Sequence, residues 1–160
     1  GQGGDQWSAV RTSHHEELGP GKYLLTVRSL GPLEEYEILN RACSLLLEKL
    51  SLVKEEIGNK HKKSALLKSS ELTIELPGED DTLGNLLTSA LQEHPEILYA
   101  GYRKPHQLIP AIEIQWETTK DNPLKPFFEV IASLKDLLSY VQKELLHLAT
   151  SRKSKVSKKK

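Results

Sequence analysis

The chain has 160 residues, with 22 Lys plus Arg, 22 Asp plus Glu and 38% hydrophobic residues. This is roughly one domain of ordinary soluble composition. A single cysteine, Cys43, excludes an internal disulfide and a four-thiolate zinc site, and no stretch approaches the roughly 18 apolar residues of a membrane span.

The zero charge balance hides an asymmetry. Arg152, Lys153, Lys155, Lys158, Lys159 and Lys160 form a basic segment without an acid, and the rest of the chain is left at −6. An acidic body disfavours a wholesale grip on nucleic acid. The sequence has no Met, which fits a processed Met-Gly start or a piece of something longer. Asp5 stands where a myristoylation pattern needs Ser or Thr, and no secretory leader is read.

In chain order, residues 1–21 read as loop, punctuated by glycines and Pro20. Lys22 to Ser29 reads as a strand closed by Gly31-Pro32. Leu33 to Ile57 reads as a long helix. Its apolar stripe, Leu39, Ala42, Leu46, Leu50, Val53 and Ile57, recurs at steps of three and four. Gly58-Asn59 is the expected stop, and residues 58–70 read as a linker.

Glu71 to Leu76 alternates as a strand, broken by Pro77-Gly78. Thr82 to Gln92 reads as a short helix with Leu83, Leu86 and Leu87 inward, and Asp80 and Asp81 sit where a helix start favours negative charge. Ile97 to Tyr102 and Ala111 to Trp116 read as strands, and Phe127 to Leu148 as a second long helix. Its stripe is Phe127, Val130, Ile131, Leu134, Leu138, Val141 and Leu145. The order predicts an α+β fold, a small antiparallel sheet packed on helices. One small sheet covers only one side of each long helix, so the surplus apolar surface implies pairing between the two halves or with another chain.

Chemistry-bearing constellations are scarce. His14-His15, His61, His94 and His147 lack ligand spacing with Cys, Asp or Glu. Cys43 has no histidine placed beside it, and Glu79-Asp80-Asp81 reads as a helix N-terminus rather than a metal site. No Walker, G-x-G-x-x-G, G-x-S-x-G, H-E-x-x-H or paired C-x-x-C motif occurs. The expectation is no catalytic residue, no metal and no cofactor.

Residues 75–119 carry an acidic turn, Asp81-Thr82-Leu83-Gly84-Asn85, a helix, Pro95, then Ala100-Gly101-Tyr102, Pro105-His106 and Thr118-Thr119. This ordered series resembles the small alpha-like subunit of multisubunit RNA polymerases, the family of eukaryotic subunit eleven and the archaeal L subunit. The chain departs from that pattern at Asp81, Thr88 and Gln107. The earlier pieces Arg28-Ser29-Leu30-Gly31, Glu37-Ile38-Leu39, Ala42, Leu46 and Lys49-Leu50 are similar to the end of the large alpha-like subunit. Gln6-Trp7-Ser8-Ala9-Val10 resembles that family's K-W-S-P-V turn.

The resemblance implies residues 1–57 as the tail of a large alpha-like subunit, 58–70 as linker, 71–150 as a small alpha-like domain and 151–160 as a basic tail. It implies a non-catalytic dimerisation platform for the large catalytic subunits, with the other polymerase subunits as partners, no sequence-specific nucleic-acid contact and no membrane. Both stripes, Leu83-Gly84-Asn85 with Leu86 and Leu87, and Pro105-His106 are the implied interface. A nuclear location follows from the Lys-rich tail, with a viral or cytoplasmic polymerase as the alternative. That tail is an import signal, a loose phosphate contact or a solubilising end. A generic helix-pairing module outside transcription and a small enzyme are the competing classes.

Overall fold

The structure, a computed structural model, describes residues 10–20, 22–29, 34–61 and 69–158. The elements are β1 (Val10–Gly19), β2 (Lys22–Ser29), α1 (Glu35–His61), β3 (Glu71–Pro77), α2 (Asp81–Glu93), β4 (Ile97–Arg103), β5 (Ala111–Thr118) and α3 (Leu124–Ser157). The chain has the expected α+β architecture and divides into two compact units, Leu45–Ser139 and the flanking residues up to Ser44 and from Tyr140 onward.

In the Leu45–Ser139 unit, β3, β5 and β4 form an antiparallel sheet with β5 in the centre. The two-residue period of a strand decides its faces. Ile112, Ile114 and Trp116 of β5 pair with Leu76, Ile74 and Leu72 of β3, and this face is buried. The opposite face pairs Glu71 with Glu117, Thr73 with Gln115 and Glu75 with Glu113. Helix α2 packs on β4 and β5, placing Leu83, Leu87 and Leu91 in the same core. Leu50, Val53 and Ile57 of α1 and Phe127, Val130, Ile131 and Leu134 of α3 complete it.

The start of α3 is fixed by Trp116. Its ring stacks on Phe127 at 4.6 Å, and its Nε1–H donates to the Pro123 carbonyl at 2.7 Å. Asn122 takes the turn between them at φ 73°, which asparagine tolerates better than most residues. The other unit holds the β1–β2 hairpin, the first turns of α1 and the later turns of α3. There Gln142 Nε2 of α3 donates to the Asn40 carbonyl (3.2 Å) and to Ser44 Oγ (2.7 Å) of α1.

Three expectations need correction. Residues 10–19, read as loop, are strand β1. Its polar composition hides it, and pairing with β2 along Val10↔Ser29 to Gly19↔Lys22 creates it. Gly58-Asn59 does not stop α1, which runs to His61. An interior glycine costs roughly 1 kcal/mol. Buried Ile57 and the Lys60–Glu56 ion pair at 2.9 Å offset that cost. The second long helix, read as ending at Leu148, runs on through the start of the basic segment to Ser157. Of the remaining assignments, Gln6 to Ala9, Gly31-Pro32 and linker residues 62–68 lie outside the described residues.

Candidate functional site

The residues singled out from the sequence separate by burial. Leu50, Val53, Leu83, Leu87, Phe127, Val130, Ile131 and Leu134 are buried in the core of the Leu45–Ser139 unit, with Leu86 and Leu138 packed against it. Gly84 is buried as well. These side chains are consumed by packing within the chain. Leu39, Ala42, Leu46, Val141 and Leu145 are half-buried and keep apolar surface, as does Pro105. Asn85 and His106 are exposed.

Several exposed apolar groups escaped the sequence reading. In the Leu45–Ser139 unit they include Leu52, Leu98 and Leu137, and Leu108 and Ile109 in the β4–β5 loop. Leu108 is 95% exposed, so that loop offers an apolar tip beside Pro105 and His106. In the other unit, Tyr140, Leu146 and Leu148 are exposed on α3. The available signal was the surplus of leucines outside the two stripes, which a single-stripe reading treats as background.

The Leu83-Gly84-Asn85 and Gly101-Tyr102 motifs meet. The Tyr102 ring lies against Gly84, and its hydroxyl donates to Asp81 Oδ1 at 3.1 Å. Lys104 Nζ reaches Asp81 Oδ2 at 2.6 Å. The Lys104 bond holds the Asp81 carboxyl below its usual range, and Asp81 in turn raises the Lys104 ammonium. Partial desolvation, then the bond to Asp81, raises the Tyr102 phenol. Asp80 caps α2, its Oδ1 accepting from the Thr82 N–H at 3.1 Å. The acidic turn is thus accounted for by capping and by ties to the end of β4.

Other polar groups are likewise engaged in holding elements together. Gln92 Nε2 donates to the Ala100 carbonyl at 2.9 Å, occupying an acceptor on edge strand β4. His94 Nδ1 accepts from the Glu96 N–H at 3.1 Å, leaving Nε2–H to donate to Glu129 at 2.8 Å. Lys49 of α1 pairs with Glu79 at 2.9 Å. Burial pushes the Cys43 thiol up, away from the thiolate a nucleophile needs. Among the described residues no group of three or more His, Cys, Asp and Glu is placed to hold a metal ion. No helix among them is long and apolar enough to cross a membrane. A depression of about 350 Å³ on the polar sheet face is lined by Thr73, Tyr99, Gly101, Tyr102, Arg103, Glu113 and Gln115, with Arg103 paired to Glu113 at 2.9 Å.

The sheet, α2 and the first turns of α3 fall within one recognised segment. Residues 71–144 match the RNA polymerase Rpb3/Rpb11 dimerisation domain. A protein of Acanthamoeba polyphaga mimivirus, named as a DNA-directed RNA polymerase subunit, is 33% identical over 143 residues, 89% of this chain. A Caenorhabditis briggsae protein named as RNA polymerase II subunit RPB11 is 40% identical over 60 residues, 38% of this chain. Its Plasmodium falciparum namesake is 53% identical over 36 residues, 22% of this chain and 29% of its own length. The chain spans 39% of the mimivirus protein and 48% of the Caenorhabditis briggsae one. The Rpb3/Rpb11 match starts at β3, whereas the mimivirus similarity is too long to be confined to it.

Proposed function

We propose that this chain is a non-catalytic assembly subunit of a DNA-dependent RNA polymerase. It joins the end of a large alpha-like subunit to a small alpha-like domain in one polypeptide. The observation that carries this reading is the shared core: Leu50, Val53 and Ile57 of α1 lie in one cluster with Phe127, Val130, Ile131 and Leu134 of α3. A pairing of two alpha-like helices is then made inside one chain. The tether between α1 and β3 replaces a bimolecular association by an intramolecular one, at an effective concentration on the order of millimolar. The mimivirus similarity over 89% of the chain supports a single-chain arrangement and favours a viral polymerase over a nuclear one.

On this reading the surfaces for the other subunits are what the packing within each unit leaves uncovered. One unit offers the half-buried Leu39, Ala42, Val141 and Leu145, and the Leu45–Ser139 unit offers the half-buried Leu46 and Pro105 with the exposed Asn85 and His106. The apolar tip Leu108-Ile109 extends the last group. Obligate subunit interfaces bury about 2,000 Å² or more, so such exposed apolar groups are expected to be covered in the assembly.

Reconstitution tests the proposal. The purified chain, mixed with the large catalytic subunits of the polymerase from the same source, is expected to co-elute with them on size exclusion. Leu108→Asp with Ile109→Asp is expected to weaken that co-elution while circular dichroism stays unchanged. A chain that forms a stable homodimer and ignores those subunits is a helix-pairing module outside transcription.

A further inference from the structure

Helix α3 changes character along its length. Glu144 is the last acidic residue of the sequence, and from Arg152 onward six of nine residues are cationic. Arg152, Lys153 and Lys155 stand on the helix and Lys158 just beyond it; all four are exposed, with no ion pair to a described residue. The intervening hydroxyls turn back on the helix: Thr150 Oγ1 donates to the Leu146 carbonyl (2.6 Å), Ser151 Oγ to that of His147 (2.9 Å) and Ser154 Oγ to that of Ser151 (2.9 Å). The outward chemistry of these turns is therefore cationic.

We propose that this end of α3 binds the phosphate backbone of duplex nucleic acid without regard to sequence. Three observations choose that occupant. Stabilising the helix dipole needs only a cation or two in the last turn, and this segment supplies six. At about 100° per residue, Arg152, Lys153 and Lys155 fall within an arc of about 160°, and the opposite side carries Ser151, Ser154 and Ser157 in place of large apolar residues, so the segment lacks the apolar face of a membrane-surface helix. Five of the six cations are Lys, a residue depleted in protein interfaces and suited as a point charge to phosphate. The inference does not depend on the assembly role, because any phosphate backbone offers the same charges.

Fluorescence anisotropy of the full chain with a labelled random-sequence duplex of about 20 base pairs, across about 25 to 200 mM salt, reads the contact. Four to six phosphate contacts predict a slope of log affinity against log salt between about −3.6 and about −5.4. The same slope predicts at least about a 100-fold loss between 50 and 200 mM. Duplexes of different sequence are expected to bind alike. The variant carrying Arg152→Gln, Lys153→Gln, Lys155→Gln and Lys158→Gln is expected to bind at least about tenfold more weakly, its slope shallower by about 0.9 per lost cation. Circular dichroism checks that this variant is folded. Absence of binding at the lowest salt, or equal binding by the variant, overturns the proposal. So does a salt-sensitive self-association of the chain with no DNA contact. A photo-crosslinker at Ser157, beside Lys158, in the chain within its native assembly gives an independent reading. Adducts to nucleic acid support the proposal, and adducts to protein alone overturn it.

Discussion

Gly84 of α2 lies directly against the ring of Tyr102 on β4: a Cβ on Gly84 would stand 2.7 Å from Tyr102 Cδ2 and 2.9 Å from Cγ and Cε2. Those distances are shorter than real carbon contacts, so an added methyl forces the ring to move. The ring's hydroxyl is bound to Asp81, one turn earlier on the same helix. Two separated sequence motifs are thereby one structural joint between α2 and the sheet.

Gly84→Ala is therefore expected to destabilise the chain by about 1–3 kcal/mol, the overpacking cost exceeding the roughly 1 kcal/mol that Ala gains over Gly in a helix. In a Tyr102→Ala background the same change is expected to become neutral or stabilising. Chemical denaturation of the four proteins of this cycle measures the coupling. Additive effects would contradict the joint.

The register of α1 gives a contrast between near neighbours. Leu50 is fully buried, whereas Leu52 is 56% exposed. Leu50→Ala is expected to cost about 2–5 kcal/mol, and Leu52→Ala to stay within about 0.5 kcal/mol. Equal losses at both positions would show that α1 is rotated from the described packing.

Much of this architecture was legible because burial imposes periodicity. Ile112, Ile114 and Trp116 alternate since only one face of β5 meets the helices, and the α1 and α3 stripes step by three and four toward the shared core. What escaped the reading depends on partners distant in sequence. Strand β1 carries a polar string, and β2 makes it a strand. Gly58 reads as a stop, yet Ile57 anchors the helix beyond it. The candidate interface was legible as apolar stripes but not as a division between core and surface. Leu134 is buried while Leu137, equally hydrophobic and three residues on, is exposed.

Trp116 ties the end of the sheet to the start of α3. Trp116→Phe keeps the aromatic stack on Phe127 but leaves the buried Pro123 carbonyl without its donor. The expected loss is about 1–3 kcal/mol. Phe127→Ala, which removes the stacked ring and opens a cavity, is expected to cost about 3–5 kcal/mol. Thermal unfolding of both variants checks the order; a larger loss for Trp116→Phe would contradict it.

Two surface pairs contribute to the acid response. The Lys104 bond lowers Asp81 from its ordinary 3.8, and the Lys120 bond lowers Glu96 from its ordinary 4.5. A carboxyl lowered on folding stabilises the fold above its ordinary pKa, and that contribution fades as pH falls through the folded value. The contribution of these two groups is therefore flat near neutrality and lost in acid, below those ordinary values. Their partners Lys104 and Lys120 are raised, so their share persists until pH rises past 10.5. Denaturation midpoints followed from neutral pH into acid are expected to fall less steeply in Asp81→Asn with Glu96→Gln than in the parent. Both pairs are solvent-exposed, so added salt is expected to shrink the difference. An unchanged acid profile would remove these pairs from the account.

The central claim is that this chain serves polymerase assembly. Mass spectrometry of the proteins that co-purify with it from its native source at moderate salt tests that most directly. The account predicts the two large catalytic polymerase subunits in the purified material, with a protein supplying the rest of the large alpha-like subunit. A homodimer free of polymerase subunits would contradict it, leaving the Rpb3/Rpb11 match as a shared fold put to another use.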